Sequence, residues 1–306
     1  MDRTQLILNL MDTPKVGERT IATILRRMSV LRMDPGALLS MSAVSIADEF
    51  KLKPELAHAV ERSVKSASER NAALSKQLTS AGVSLVSMVD AAYPQRLVER
   101  MAHPPAILFV YGNAALLERS LIAIANSNGA RETALTLGDR AVEAAAAEGW
   151  ALVTGHNRIE YQRPALAAKR NGMGICYVLD RGIIEGFGGD LTRDLFPAAR
   201  IWGPAYDPLT DLTISTFGPL DHGNLAGNRK RDSLVFALAD TIIAASIMPG
   251  GNMEKQCLDA LGRNAEVWLG PDPICVSTAL EETGAKRLAE TEDNNFRAAI
   301  HRGSRK

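Results

Sequence analysis

From about residue 83 onward, short apolar runs alternate with helical stretches along most of the chain. Several of these runs are apolar on both faces, which is typical of strands buried between two layers of helices. The runs are VSLVS, PAILFVYG, LIAIAN, WALVT, GICYVL, LTISTF, DTIIAAS and EVWLG. Stretches such as ETALTLGDRAVEAAAAEG and NMEKQCLDALGRN separate them with helical spacing. The alternation predicts an α/β fold with a mostly parallel sheet covered by helices on both sides.

The first part of the chain has a different pattern. Residues 1 to about 80 carry apolar positions at helical spacing, with a long amphipathic helix predicted from Pro54 to Leu78. Between the first two predicted helices, DTPKVGERT is typical of a helix-hairpin-helix, whose turn amides hold a DNA phosphate, but also of any packed helical hairpin. We therefore predict a small all-α, helix-hairpin-helix-like domain over residues 1–80. A doubly wound, Rossmann-like domain is predicted over 81–270, followed by a short C-terminal extension over 271–306 with a frayed basic end.

Composition limits the classes of partner. Lys plus Arg and Asp plus Glu each number 35, so no overall charge attracts DNA or an anionic membrane, and only a local basic stripe could do so. The three cysteines, Cys176, Cys257 and Cys275, show no metal-ligand spacing, and we expect no metal site. No signal peptide and no apolar stretch of about 18 residues is present, which predicts a cytoplasmic protein without a membrane partner.

In a doubly wound sheet, ligands bind beyond the carboxyl ends of the strands. After LIAIAN, the turn SNGARET places Arg131 beside a helix start, which suits a phosphate or is simply a capped turn. The G-x-G-x-x-G fingerprint is absent, so we expect no dinucleotide cofactor. After WALVT, the stretch TGHNRIEYQRPAL holds more hydrogen-bonding groups than packing requires, and we interpret it as a functional surface. The isolated histidine in it, His156, has no partner spacing for catalysis or metal binding.

Two later segments add candidate anion contacts. After DTIIAAS, Gly250, Gly251 and Asn252 form a turn before a helix, which suits a phosphate cradle or a turn that needs positive φ. GNRKRD places three consecutive cations just before an apolar helix, where they oppose the helix dipole unless an anion binds; a solvated charge run is the alternative. The predicted phosphate- and nucleic-acid-binding residues are Arg131, Gly155, His156, Asn157, Arg158, Arg163, Asn228, Arg229, Lys230, Arg231, Gly250, Gly251 and Asn252.

Taken in order, these landmarks resemble the DprA/Smf family of DNA-processing proteins, a Rossmann-like family related to the LOG-type nucleotide-processing proteins. DAAYPQRLVERMAHPPAILFVYGN resembles the family's entry segment, and LIAIANSNGARET stands in the place of its first strand and V-G-[ST]-R turn. WALVTGHNRIEYQRPAL replaces the S-G-x-A-x-G-I-D element, GNRKRDSLVFALADTIIAAS the R-N-R-I-I-x-x-L-S element, and MPGGNMEKQCLDALGRN the S-G-[ST]-x-x-T-A helix. The altered signatures indicate a divergent branch.

The resemblance implies a non-enzymatic protein that binds single-stranded DNA in DNA processing, natural transformation or phage defence. It also implies a homodimer that assists a RecA-type recombinase. Binding should be mostly electrostatic, because Tyr161 is the only aromatic candidate for base stacking near the loops. One alternative is an antitoxin-type interaction protein that regulates a cognate toxin or other partner. Another is a LOG-like phosphoribohydrolase, although P-G-G-N-M-E lacks the second Gly and the Thr of P-G-G-x-G-T-x-x-E.

Overall fold

The computed structural model describes residues 1–66, 68–191, 195, 205–271, 275, 277–288, 296 and 300. The chain divides into two compact units. The first comprises Met1–Tyr93 and His103–Val110, and the second comprises Pro94–Ala102 and Tyr111–Lys306.

The first unit is mainly helical. Its helices are α1 (Arg3–Met11), α2 (Glu18–Leu31), α3 (Ala37–Ser40), α4 (Ala43–Phe50), α5 (Pro54–Lys65) and α6 (Glu69–Ser80). The prediction of a single long helix from Pro54 to Leu78 is wrong, because α5 ends at Lys65 and α6 begins at Glu69. The Ser68 hydroxyl accepts a hydrogen bond from the Asn71 amide and so caps the start of α6. Two strands follow: β1 (Ser84–Ser87) pairs antiparallel with β2 (Ile107–Gly112), whose last two residues belong to the second unit.

The second unit is built on a parallel sheet, and the α/β prediction is confirmed. Its strands are β3 (Leu121–Asn126), β4 (Ala151–Thr154), β5 (Ile175–Val178), β6 (Leu212–Ser215), β7 (Thr241–Ser246), β8 (Glu266–Leu269) and β9 (Lys286–Arg287). They lie in the order β6-β5-β4-β3-β7-β8-β9. Every adjacent pair in that order is parallel. The connections therefore run outward in one direction from β3 and in the other from β7, so the switch point of the topology lies between these two strands.

Helices connect these strands. They are α7 (Gln95–Arg100), a 3₁₀ helix (Ala114–Glu118), α8 (Glu132–Ala147), α9 (Ile159–Arg170), α10 (Ile183–Gly186), α11 (Leu225–Leu238), α12 (Asn252–Leu261) and α13 (Thr278–Glu282). All six residues of β3 and all four of β4 and β5 are buried. A strand buried on both faces needs apolar side chains at successive positions, which is why the continuous apolar runs predicted these strands.

Part of the predicted C-terminal extension is described by the structure, and its basic end, residues 301–306, lies outside the described residues. Lys286 and Arg287 form the ninth strand, and Leu288, Phe296 and Ile300 are buried in the core of the second unit. A two-residue strand is too short to give an apolar run, so the pattern did not show it. Among the described residues, no helix is long and apolar enough to cross a membrane.

All three cysteines are buried. Burial raises the pKa of the Cys176 thiol to about 12 and raises that of Cys257 as well. Both thiols are therefore uncharged at neutral pH, and the structure makes them part of the packing.

Candidate nucleic-acid interface

A cleft of about 280 Å³ opens at the switch point, beyond the carboxyl ends of β3 and β7. We call it the switch-point cleft. Its lining comes from the segments that follow β3, β4 and β7 and from the first half of α11: Asn126, Ser127, Asn128, Arg158, Glu160, Tyr161, Leu225, Asn228, Arg229, Arg231, Asp232, Met248, Gly251, Asn252 and Met253. The three strand-end segments singled out from the sequence thus meet at one cleft.

A buried ion pair lies under the cleft. Arg231 is 1% exposed, and its Nε and Nη2 donate to Asp232 Oδ1 at 3.0 and 2.8 Å. Its Nη1 donates to the side-chain oxygens of Asn157 at 2.7 Å and Asn228 at 3.0 Å. The guanidinium also stacks on the Tyr161 ring, 4.5 Å from the ring centroid. Arg231 is predicted to contact DNA, but its guanidinium is buried and paired with Asp232 inside the protein. There it joins the walls of the cleft.

Asp232 is held from two further sides. The Tyr161 hydroxyl donates to Oδ1 at 2.7 Å, and Asn252 Nδ2 donates to Oδ2 at 2.8 Å. Tyr161 is itself 7% exposed, so it is a packed partner of the ion pair and not the exposed stacking surface expected from the sequence. Burial raises the pKa of its hydroxyl, which therefore stays a donor at neutral pH. We call Arg231, Asp232, Tyr161, Asn157 and Asn252 the cleft network.

His156 is interior, contrary to its prediction as a surface contact. It is 4% exposed, and its Nε2 lies 3.8 Å from Asp180 Oδ1. Its Nδ1 has no hydrogen-bond partner in the part of the chain that the structure describes. Burial lowers the pKa of His156 to about 4, against an attraction from Asp180 that raises it. The ring is neutral at physiological pH and supplies no charge for a phosphate.

Gly155 serves packing. A Cβ atom at this position would lie 3.0 Å from Arg231 Cδ and 3.0 Å from Tyr161 Cδ2. These distances are tighter than ordinary van der Waals contact, so the absent side chain makes room for the stacked Arg231 and Tyr161. The structure therefore accounts for this glycine without a phosphate.

Arg163 is compensated inside the chain. Its Nε lies 2.8 Å from Asp139 Oδ2, and its Nη2 lies 2.8 Å from Glu132 Oε1. Both carboxylates are on α8, so these ion pairs join α8 to α9. The DNA contact of Arg163 stays a prediction. Arg131 is exposed at the start of α8 but does not line the cleft, and its proposed phosphate contact stays a prediction.

The Pro-Gly-Gly turn is closed by its own hydrogen bonds. Gly250 has a φ of 72°, and its amide donates to Glu254 Oε2 at 2.6 Å. The Gly251 amide donates to the Met248 carbonyl at 3.0 Å. These two amides are not available to a phosphate, so positive φ explains the turn better than the predicted cradle does. Asn252 faces the cleft, but its side chain donates to Asp232 as part of the cleft network.

The accessible charge of the cleft is positive. Arg158, which precedes α9, is half-buried and contacts the neutral amide of Asn128; Arg229 is exposed on α11. Neither pairs with a carboxylate among the described residues. The acidic groups of the lining are occupied, since Asp232 belongs to the cleft network and buried Glu160 accepts from the Gly129 amide at 2.8 Å. Arg158 and Arg229 are therefore the cations that this cleft offers to a ligand.

The cluster of basic residues lies within a helix and not before it. Asn224 caps α11, its side chain accepting from the Gly227 amide at 2.8 Å, so Asn228, Arg229, Lys230 and Arg231 fall in the first two turns. Because successive side chains of a helix point about 100° apart, the three cations diverge. Arg229 is exposed, Lys230 lies over the Phe217 ring with its Nζ 5.2 Å from the centroid, and Arg231 is buried.

Asn126 is one of the cleft residues that the sequence analysis did not predict. Asn126 ends β3 and is 5% exposed, and neither atom of its side-chain amide has a hydrogen-bond partner among the described residues. A polar residue that closes an otherwise apolar strand was the available signal. No cluster of His, Cys, Asp or Glu that could hold a metal ion is found in the described ranges.

Part of the second unit and the end of the first unit match a known protein family. Residues 84–173 match the family model of DNA recombination-mediator protein A. The match spans the entry segment, the turn with Arg131 and the stretch TGHNRIE. The predicted resemblance to the DprA/Smf family is confirmed. The basic segment of α11 and the Pro-Gly-Gly turn lie outside the matched range of this DprA-like chain.

Solved DprA structures share the fold. The structure of DNA processing protein A from Streptococcus pneumoniae is similar with a TM-score of 0.73 and 20% identity, covering 97% of this chain and 98% of that one. A structure of DNA processing protein A from Helicobacter pylori, whose subject is that protein's single-stranded DNA binding mode, has a TM-score of 0.56 and 15% identity. It covers 72% of this chain and 96% of that one. No curated protein matches the sequence.

Proposed function

We propose that this chain is a non-enzymatic, cytoplasmic protein that binds single-stranded DNA across the switch-point cleft and acts in DNA processing and recombination. The observation that carries the proposal is the charge distribution of the cleft. Its acidic groups are compensated below the surface, whereas Arg158 and Arg229 are left facing a ligand. The DprA-like fold and the single-stranded DNA binding of the Helicobacter pylori protein support the same function.

The surface around these cations suits a single strand. Ile159, Leu225 and Met248 are large apolar side chains exposed by 53%, 76% and 59%. Leu225 and Met248 line the cleft, and Ile159 follows Arg158 at the start of α9. Apolar side chains between cations provide contact for base faces while the cations neutralise phosphates. With few accessible cations and no exposed aromatic ring in the cleft lining, we expect modest affinity with little sequence preference.

Two finer parts of the proposal come from the family resemblance. The chain would act as a homodimer, and it would hand the strand to a RecA-type recombinase or, in a defence setting, respond to a cognate partner such as a toxin. Light scattering of the purified chain measures its oligomeric state directly. A strictly monomeric chain would remove the homodimer from the proposal without affecting strand binding.

A phosphoribohydrolase receives no support from the cleft. The acidic residue that this alternative would use, Glu254, is 7% exposed. Its Oε2 accepts from the Gly250 amide at 2.6 Å and its Oε1 from the Ser277 hydroxyl at 2.5 Å. Oε2 therefore stabilises the turn, and Oε1 joins α12 to Ser277, the residue that caps α13.

Removal of the two cleft cations is expected to weaken binding about tenfold to a hundredfold at low salt. We would measure the fluorescence anisotropy of a labelled 30-nucleotide thymidine strand across a salt series, comparing the native chain with Arg158→Ala/Arg229→Ala. Each phosphate contact to a single strand contributes about 0.7 to the slope of log K against log salt, so the slope should fall by about 1.4.

Arg119→Ala/Arg170→Ala provides the matched control. Both arginines are exposed in the second unit. They precede β3 and β5, so they lie toward the amino ends of the strands, whereas the cleft lies beyond the carboxyl ends. This variant loses the same charge and should bind like the native chain. Equal losses in the two variants would show that binding is not located at the cleft. Absence of binding by the native chain at low salt would overturn the proposed function.

A further inference from the structure

The helical first unit has a groove of its own, with a volume of about 620 Å³. It is bounded by one face of α5, by the turn at residues 12–15 that follows α1, and by Asn71 on α6; we call it the α5 groove. The α5 residues in its wall recur every three or four positions from Glu55 to Ser66, so they form one stripe along the helix. At the rise of an α-helix this stripe is about 16 Å long.

The floor of the α5 groove is fixed by hydrogen bonds. The Asn9 carbonyl accepts from the Thr13 hydroxyl at 2.7 Å and from the Ser63 hydroxyl at 2.8 Å. Asn71 Nδ2 donates to Asn9 Oδ1 at 2.9 Å and to Asp12 Oδ2 at 3.0 Å. These bonds join α1 and its turn to α5 and α6. The groove therefore has its shape before a ligand arrives, and little ordering of its walls opposes binding.

Two acceptors on this floor have no donor. Asn71 is 2% exposed and lines the groove, and its Oδ1 accepts no hydrogen bond from any residue that the structure describes. The same holds for Asp12 Oδ1. Buried polar atoms normally have a partner. A ligand that places an N–H group on the floor of the groove would complete the hydrogen bonds of Asn71, and the backbone of an extended peptide carries such groups unpaired.

The charges around the groove are balanced in sign. Asp12 and Glu55 are anionic, Lys15 and Arg62 are cationic, and all four side chains are exposed. Among the described residues, none of the four pairs with an oppositely charged side chain. A nucleic acid strand would bring its phosphates against both carboxylates, so the charge of this groove does not favour one. A ligand that carries charges of both signs is complementary to it.

The spacing along α5 defines that ligand further. Glu55 and Arg62 are two helical turns apart, which places them about 10 Å from each other along the helix. Three residues of an extended chain cover the same distance of about 10 Å. We propose that the α5 groove binds an extended segment of a partner protein in which a basic and an acidic residue are three positions apart. The basic residue pairs with Glu55, the acidic residue pairs with Arg62, and a backbone amide donates to Asn71 Oδ1.

Selection from a random heptapeptide library displayed on phage tests this proposal, with the immobilised full chain as the target. The selected peptides are expected to carry Lys or Arg three positions from Asp or Glu. Labelled synthetic copies are then titrated with the protein and followed by fluorescence anisotropy. Glu55→Lys and Arg62→Glu each place like charges together, so each should weaken binding about tenfold or more. Both residues are exposed and unpaired, so neither change should disturb the fold.

Two controls separate recognition from a general loss of charge. Lys65 is exposed on the same helix but does not line the groove, so Lys65→Glu should bind the peptides like the native chain. A peptide whose basic residue is replaced by Glu should bind Glu55→Lys about as tightly as the parent peptide binds the native chain. A merely structural effect of Glu55→Lys would not be reversed in this way.

The outcomes are independent of strand binding at the switch-point cleft. The proposal is overturned if the native chain enriches no peptide, if Glu55→Lys and Arg62→Glu leave the affinity unchanged, or if the charge-exchanged peptide fails to restore binding. Arg62→Glu should bind the labelled thymidine strand like the native chain. A loss of strand binding in this variant would assign the α5 groove to nucleic acid and overturn the peptide site. Failure of the native chain to bind the strand would overturn the proposed function and leave the peptide site standing.

Discussion

Replacement of Arg231 by methionine is expected to lower the free energy of unfolding by about 3 to 5 kcal/mol. Methionine keeps much of the volume but removes the charge, and this leaves the buried Asp232 carboxylate without its counter-ion. Asn157 and Asn228 also lose the donor that their side-chain oxygens share. Urea unfolding followed by circular dichroism measures the change, which should move the midpoint with little effect on its slope.

The same helix provides the control. Arg229 lies two residues earlier but is exposed, so Arg229→Met should change the free energy of unfolding by no more than about 0.5 kcal/mol. Arg231→Met/Asp232→Asn removes both charges and should recover part of the loss, because the uncompensated carboxylate is gone. If Arg231→Met had the same urea midpoint of unfolding as the native chain, the buried pair would not hold the cleft together.

The chain is expected to lose about 3 kcal/mol of stability through His156 as the pH falls from about 6.5 to about 4. The unfolded chain takes up a proton near the ordinary pKa of histidine, whereas the buried ring stays neutral until about pH 4. Protonation therefore favours the unfolded state throughout this window, and the stability contributed by the neutral ring is fully present only above it. The lowered pKa already reflects the charges around the ring. Asp180 raises the pKa of His156, whereas Arg181 and Arg231 lower it.

Two variants isolate this histidine in urea unfolding measured at several pH values. His156→Gln cannot take up the proton and should show a flatter dependence between pH 6.5 and 4. His58, on the first unit, is 64% exposed in its side chain, so His58→Gln should follow the native curve. Parallel curves for the native chain and His156→Gln would contradict the role given to burial.

The strands of the second unit could be predicted because their environment leaves few choices. In β4 all four residues are buried, and in β3 all six are, so both faces need apolar side chains. The resulting runs are distinct from the alternating pattern of a half-exposed strand. By contrast, Lys286 and Arg287 form a strand through backbone pairing at the sheet edge, where a side-chain pattern carries little information.

The sequence does not predict which cations face the cleft, because it shows the charge of a side chain but not the direction in which that side chain points. Arg229, Lys230 and Arg231 are adjacent in sequence but leave the helix in different directions. The apolar pattern could have distinguished them: Leu234 and Val235 are buried, and Arg231 lies three and four residues before them on the same face. A buried arginine, however, is rare enough that helical spacing alone would not predict one.

The stretch TGHNRIEYQRPAL was interpreted by its density of polar groups, and the structure divides those groups by direction. His156, Asn157 and Tyr161 point to partners inside the fold, Arg163 is paired with α8, and Arg158 faces the cleft. Donor-rich loops and buried polar networks have the same composition, because both need hydrogen-bonding groups. Their separation depends on tertiary partners such as Asp180 and Asp232, which lie far away in the sequence.

The cleft network also bears on how a strand would be received. Arg231 and Asp232 bond to side chains from the segment after β4, from α9 and from α12, so one ion pair ties three parts of the wall to α11. Walls joined in this way are already ordered before a ligand arrives, and little conformational freedom is left for them to lose. The conformational entropy lost on association is then mainly that of the DNA. Strands that are already extended should therefore bind to the switch-point cleft most tightly.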